Sequence, residues 1–209
     1  MSEKDAQFWD RSARKYARDP IANMESYAFT LARMQALLKP TDRVLELGAG
    51  TSSTARELAP FVQDYLATDI SPEMIRIGDE KQGRERLPTL RLQVAHGVAE
   101  GDFDAVLALN LLHLLPDLAA TLTAIASRLA PGKLFISKTA CLGAGPWYGR
   151  AAMQVLLPAM RAIGKAPRTV LTLTPEMLDA AITHAGFAIE ETEQEPGATP
   201  RRFVVARRL

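Results

Sequence analysis

The sequence predicts an α/β fold, a doubly wound, Rossmann-like and mostly parallel sheet, on three observations. Short apolar runs alternate with helix-period segments along most of the 209 residues. The first such run, Val44-Leu45-Glu46-Leu47, leads straight into the glycine turn Gly48-Ala49-Gly50. A second run, Tyr65 to Asp69, ends in an acid roughly 20 residues beyond that turn, the spacing of a nucleoside-binding βαβ unit.

Each element follows in order. Residues 3 to 17 read as a helix that Pro20 interrupts. Residues 22 to 38 read as an amphipathic helix, with Tyr27, Leu31, Met34 and Leu38 at helical spacing. The strand Val44 to Leu47 comes next, then a helix from about Ser53 to Leu58 closed by Pro60. After the strand Tyr65 to Asp69, Ser71-Pro72-Glu73 suits a helix start, because Pro tolerates the first turn. Leu90 to Ala95 and Phe103 to Leu109 are the third and fourth strands, and Asp117 to Leu129 is a helix. Pro131-Gly132 is a turn before a fifth strand, Lys133 to Thr139. Residues 140 to 173 break the alternation with scattered Gly and Pro around an apolar helix of about 15 residues, and read as an insertion. The remainder is a helix from Pro175 to Ala185 and two strands, Phe187 to Glu193 and Arg202 to Arg207, close enough in sequence to pair antiparallel. The expected organisation is one domain over 1–209, with residues 1–40 as a helical lid and 140–173 as a substrate-side insertion.

Composition narrows the function classes. Lys and Arg total 25 against 24 Asp and Glu, so no global field attracts nucleic acid, which is disfavoured as a partner. The single cysteine, Cys141, allows no intrachain disulfide or cysteine metal cluster; it reads as a buried thiol in a reducing compartment, and no metal site is expected. The charged start MSEKDAQFWDRSARKY lacks a secretory apolar stretch, and no run reaches the roughly 20 apolar residues of a membrane span. A cytoplasmic protein is the expectation.

The glycine turn carries the chemistry. A dinucleotide fingerprint needs G-x-G-x-x-G, and its third glycine is Ser53 here. Gly48 and Gly50 still let a ligand lie on bare backbone, so pyrophosphate binding is weakened and adenosine binding is not. Asp69 stands where an acid accepts both ribose hydroxyls; its alternative use is as a helix cap.

The stretches VLELGAGT, TDISPEMIRIG, FDAVLALNLLHLLPD and LAPGKLFI occur in order over about residues 40 to 139. They resemble the successive motifs of class I S-adenosylmethionine-dependent methyltransferases, especially small bacterial enzymes that methylate quinones and other small molecules. The resemblance implies a seven-stranded sheet with the last strand antiparallel and S-adenosyl-L-methionine as cofactor. It further implies roles by position. Glu46 orients the methionyl amino group, directly or through water, and Gly48, Ala49 and Gly50 pass beneath the cofactor. Asp69 holds the ribose, and Ile70 and Met74 flank the adenine. Asn110 offers its carbonyl to the methionyl ammonium, while Thr51 or Ser52 and the next helix N-terminus receive the carboxylate. Where many relatives carry an acid facing the adenine amino group, this chain has His96, followed by Gly97.

Further residues admit two readings. His113 is a candidate base or a core histidine, and Tyr16 and Tyr27 are core or close the cofactor pocket. Phe8 and Trp9 read as core, Trp147 and Tyr148 as substrate-facing, and Arg201, Arg202, Arg207 and Arg208 as solvated strand ends. His184 reads as a cation at a helix C-terminus.

The expected reaction is in-line methyl transfer to a small, largely apolar acceptor. The apolar stretch 153 to 163, with Arg161 and Lys165 nearby, keeps open a phospholipid head-group methyltransferase at a membrane surface. The same pocket would also serve a nicotinamide oxidoreductase, if the missing third glycine were dispensable, or a methyltransferase-like binding module without turnover.

Overall fold

The computed structural model describes residues 2–83, 86–144, 156–195 and 199–209. Two helices, α1 (Glu3–Arg18) and α2 (Met24–Leu37), precede the sheet. The strands are β1 (Arg43–Leu47), β2 (Asp64–Asp69), β3 (Leu90–Val94), β4 (Phe103–Leu109), β5 (Leu129–Ala140), β6 (Phe187–Glu195) and β7 (Arg201–Arg208). They form one seven-stranded sheet in the order β3-β2-β1-β4-β5-β7-β6. Pairing is parallel from β3 across to β5, and β7 runs antiparallel to both its neighbours, β5 and β6. This is the Rossmann-like α/β architecture the sequence predicts. Strand order reverses beside β1, so a crevice opens at the carboxyl ends of β1 and β4.

The connecting helices are α3 (Ser53–Leu58), α4 (Pro72–Gln82), α5 (Leu118–Ala126), a helical segment at 156–162 (α6), and α7 (Pro175–His184). Local chemistry starts them. Side chains of Asn23, Ser71, Asp117 and Thr174 accept from backbone N–H groups three residues on, each satisfying an otherwise orphaned donor and contributing about 1 kcal/mol.

The core is two apolar layers, one on each face of the sheet. Leu45, Leu47, Val106 and Phe135 pack on α5 and α7 through Leu122, Ile125, Leu178 and Ile182. Val44, Tyr65, Leu107 and Ile136 pack on α2 and α3 through Met34, Ala55 and Leu58. The period-2 alternation along β1 and β4 therefore assigns successive side chains to opposite layers.

Three expectations are corrected. β5 starts at Leu129, not after Pro131-Gly132: the pair lies inside the strand, where the register with β4 shifts between Phe103 and Ala105 and Gly132 takes φ +82°. A bulge accommodates the proline that a regular ladder would reject. The terminal arginines are partly exposed strand ends, as expected, but three of them are fastened to partners and not simply solvated. Arg202 pairs with Asp179 at 2.6 Å, Arg207 with Glu190 at 2.8 Å, and Arg208 donates to Gly186 O at 2.9 Å. Phe8 and Trp9 are half-buried rather than core, stacked edge to face on one flank of α1 with centroids 5.1 Å apart.

The leading helices diverge. α1 lies against α4 through Ala13, Met74 and Ile77, and Asp10 Oδ1 accepts from Ser71 Oγ at 2.5 Å and Glu73 N at 3.0 Å. α2 instead packs toward β5 and β6, where Arg33 binds Glu191 (Nε to Oε2, 2.8 Å). The segment 19–23 between them borders the crevice.

Candidate functional site

The crevice is a cleft of about 1020 Å³. One end is built by the glycine turn. Gly48 and Gly50 have φ +67° and +55°, a backbone region that glycine enters without steric cost. A Cβ on Gly48 would sit 2.8 Å from Leu111 Cδ1, and one on Gly50 would sit 3.4 Å from the Tyr16 ring. Conformation is what calls for glycine at both positions; a Cβ on Gly48 would also have to displace the end of the Leu111 side chain, whereas one on Gly50 would make ordinary contact. Ser52 also takes a left-handed φ, 57°, and a Cβ on Gly78 of α4 would meet its Oγ at 2.9 Å. Close helix approach to the turn, which a third glycine supplies in dinucleotide sites, here falls to Gly78 on a different helix. The sequence reading missed that glycine because nothing local marks it.

Asp69 ends β2 and borders the cleft, its side chain held rigidly. Oδ2 accepts from Gly50 N and Oδ1 from Ser71 N, both at 2.9 Å. Burial raises its pKa above the usual carboxylate value, opposed by these backbone donors and reinforced by Asp10. An ionised carboxylate offers about four acceptor positions, so two remain for a ligand diol. Glu46 is 2% exposed, and Tyr65 Oη donates to its Oε2 at 2.8 Å. Desolvation pushes its pKa up to about 7; the Tyr65 bond works against that rise and the nearby Asp69 adds to it.

The remaining predicted contacts surround this end. Ala49, Thr51, Ile70, Met74, His96, Gly97 and Asn110 all border the cleft. Asn110 takes φ +54° and donates from its N–H to Lys138 O, a strained position of the kind found at functional sites. Met74 is buried mainly against α1. Thr51 Oγ1 accepts from Lys81 Nζ at 2.6 Å, an α4 lysine the sequence reading did not single out. Tyr16 and Tyr27 both line the cleft, and Tyr16 is 53% exposed, so neither is a core residue.

The other end is built by α2, β5 and the β6–β7 hairpin. Lys138, within the apolar run of β5, donates to Ser26 Oγ at 2.6 Å and Thr30 Oγ1 at 3.0 Å, and its Nζ lies 3.0 Å from Glu195 Oε2. Asn23 Nδ2 donates to Glu195 Oε1 at 3.1 Å. Burial works to raise the Glu195 pKa, but Ser26, Lys138 and Arg201 together hold it below the usual value. His113 sits in a short turn at 112–114 bordering the cleft. Its Nδ1 is buried without a hydrogen-bond partner among the described residues. Desolvation and then the charge of Arg201 push its pKa down to about 4, so it is neutral at physiological pH. None of Lys138, Glu195, Asn23 and Arg201 was drawn from the sequence as a site residue. The signal was a lone lysine in the strand FISKTA.

Trp147 and Tyr148 lie outside the described residues, as do 153–155 of the apolar stretch. Its described part leaves Leu156 and Ile163 exposed. No helix among the described residues is long and apolar enough to cross a membrane. Cys141 is buried, and burial raises its thiol pKa.

The sequence and the fold match known proteins. A family model described as a methyltransferase domain matches residues 45–135. Magnesium-protoporphyrin O-methyltransferase of Rhodobacter capsulatus is 34% identical over 158 residues, covering 70% of this chain and 63% of that protein. A highly reducing polyketide synthase of Alternaria alternata is 30% identical over 139 residues, 58% of this chain but 6% of that much longer protein. Among solved structures, the DhpI–SAH complex superposes with a TM-score of 0.73 at 21% identity, covering 99% of this chain and 96% of DhpI. Magnesium protoporphyrin IX methyltransferase from Synechocystis PCC 6803, with bound SAH, gives 0.70 at 18% identity, covering 98% and 96%. The structural likenesses show a shared fold. The sequence matches add a methyltransferase domain over residues 45–135.

Proposed function

We propose that this chain is an S-adenosylmethionine-dependent methyltransferase acting on a small-molecule acceptor with a largely apolar body. The observation that carries the reading is the pairing of two left-handed glycines with Asp69, whose carboxylate buttresses Gly50 N and faces the same cleft. Gly48, Ala49 and Gly50 would underlie the cofactor and Asp69 would accept from its ribose diol. Glu46 and the Asn110 carbonyl would meet the methionyl ammonium, and Thr51 with Lys81 suits the carboxylate. Ile70 and Met74 would flank the adenine, with His96 and Gly97 at its edge. When bound, the cofactor supplies an electrophilic methyl on a sulfonium.

The chain's residues contribute position and exclusion of water. Holding two reactants at near-attack distance in a closed site accounts for several kcal/mol of barrier lowering, and no protein nucleophile is required. Asn110 and Leu111, after β4, would hold the methionyl end beside Leu114, Leu115 and Leu142, which suit an apolar acceptor body. His113 would serve as a base only for an acceptor that arrives protonated, and a conjugate acid near pKa 4 makes it a weak one. Residues 1–40, through 19–23, would act as the lid, and 140–173 as the substrate-side wall. The related magnesium-protoporphyrin O-methyltransferase and the polyketide synthases are consistent with a small-molecule acceptor.

Isothermal titration with S-adenosylmethionine tests the reading. Saturable one-to-one binding is expected, and absence of binding would remove the enzyme assignment. Detection of S-adenosylhomocysteine with an acceptor panel then separates turnover from binding alone.

A further inference from the structure

The acceptor end of the cleft carries a guanidinium, that of Arg201, which the methyl-transfer reading leaves unused. Three ionised side chains meet there: Lys138, Glu195 and Arg201. Lys138 and Glu195 neutralise each other at 3.0 Å, with side chains 11% and 16% exposed. Glu195 Oε1 is also taken by Asn23 Nδ2 at 3.1 Å. Arg201 Nη1 stands 3.7 Å from that same Oε1, too far for a hydrogen bond. Asp117 is another acid bordering this end, and its Oδ1 accepts from Ala120 N at 2.8 Å as the cap of α5. The fork of Arg201 is thus held at the cleft wall by register with Glu195 across the hairpin and Ala140 on β5, without a close acceptor among the described residues.

We propose that Arg201 is the docking point for a carboxylate on the acceptor, so that the substrate is an apolar small molecule bearing a carboxylate. This inference rests on the methyltransferase reading of the same cleft and adds the substrate's chemical class. A guanidinium presents two parallel N–H donors matched to the two oxygens of a carboxylate, and in a partly desolvated cleft such a pair is stronger than in water. Lys138 reinforces the preference from behind, because its ion pair with Glu195 offsets the carboxylate nearest Arg201, which would otherwise repel an incoming anion. His113, the neighbour of Arg201, carries no charge at neutral pH and one ring N–H, so it too tolerates an anion. The apolar body then extends over Leu114, Leu142 and Val170.

The test is calorimetric binding to the whole chain saturated with S-adenosylhomocysteine, whose own affinity is measured first. Benzoate, naphthalene-2-carboxylate and octanoate are each titrated against the matched neutral amide. At least one acid is expected to bind about tenfold or more tighter than its amide. Arg201→Gln should erase that preference while leaving S-adenosylhomocysteine affinity within about twofold. Equal binding of every acid and amide, or a preference that survives Arg201→Gln, overturns the proposal. Should Arg201→Gln fail to fold, the wild-type Arg201 Nε–Hε resonance replaces it: a shift on adding the acid but not the amide is expected, and a silent resonance overturns the assignment. Failure of S-adenosylhomocysteine to bind at all would strike the methyltransferase reading instead, and is seen before any acid is added.

Discussion

The two ends of the cleft are built by different means. The end over β1 and β2 is mostly backbone: two glycines, the Asn110 turn, and a carboxylate fastened by main-chain donors from residues 50 and 71. The end over β5 and β7 is side chains on separate elements, with Asn23, Lys138 and the hairpin pair Glu195 and Arg201 brought together from three distant stretches of the chain. A backbone cradle suits a ligand that never changes, because it cannot be altered one side chain at a time. A side-chain cradle suits a partner that differs from one protein to the next, since single substitutions re-aim it.

The largest effect should come from filling the backbone end. Gly50→Val forces a branched residue into a left-handed turn and places its methyls against Tyr16. Calorimetry should show S-adenosylmethionine binding reduced about a hundredfold or more. Binding within about threefold of wild type would mean the turn is not the cradle.

Asp69→Ala comes next, with cofactor affinity falling more than about tenfold as charged hydrogen bonds are lost. Because Asp69 also accepts from Gly50 N and Ser71 N, the melting temperature should fall too. Asp69→Asn keeps acceptor capacity on one oxygen and should recover part of the stability but little of the affinity. Unchanged affinity in both variants would remove the ribose assignment.

Glu46 makes the comparison pH-dependent. Its folded pKa near 7 lies above the ordinary 4.5, so the folded protein prefers the protonated carboxyl. That contribution is fully present below pH 4.5 and is lost as pH rises through about 7, and the bounding size is about 3 kcal/mol. Urea unfolding of Glu46→Gln should therefore show the variant gaining on wild type between about pH 5 and pH 8. A bound ammonium favours the ionised form, so wild-type cofactor affinity should rise over about pH 6 to 8 and the Gln variant should stay flat. A flat wild type would separate Glu46 from the ammonium.

The smallest effect belongs to Asn23→Ala. It removes the cap of α2 and a donor to Glu195, at about 1 kcal/mol, or roughly 2–4 °C in melting temperature for a chain of this size. Cofactor affinity should stay within about twofold, because the loss falls at the other end. A tenfold loss would mean the two ends are coupled through the segment 19–23.

Local sequence determined most of what the first end needs. Short apolar runs mark β1, β2 and β4. Capping residues Ser71 and Asp117 mark helix starts, and Gly48 and Gly50 name a turn that other residues enter only under strain. These signals lie within a few residues of the structure they specify, so they were legible. Tertiary structure decided what depends on elements meeting. Pro131-Gly132 became a bulge because β5 had to stay in register with β4 at both ends, and Gly78 became the close-packing glycine because α4 crosses the turn. The run Arg201-Arg202 looks like surface charge in one dimension. Pairing of β7 between β5 and β6 turns Arg202 toward Asp179 and sets Arg201 on the cleft wall opposite Lys138 and Glu195. A side chain's partner is set by sheet register and helix docking, and no window of neighbouring residues encodes either.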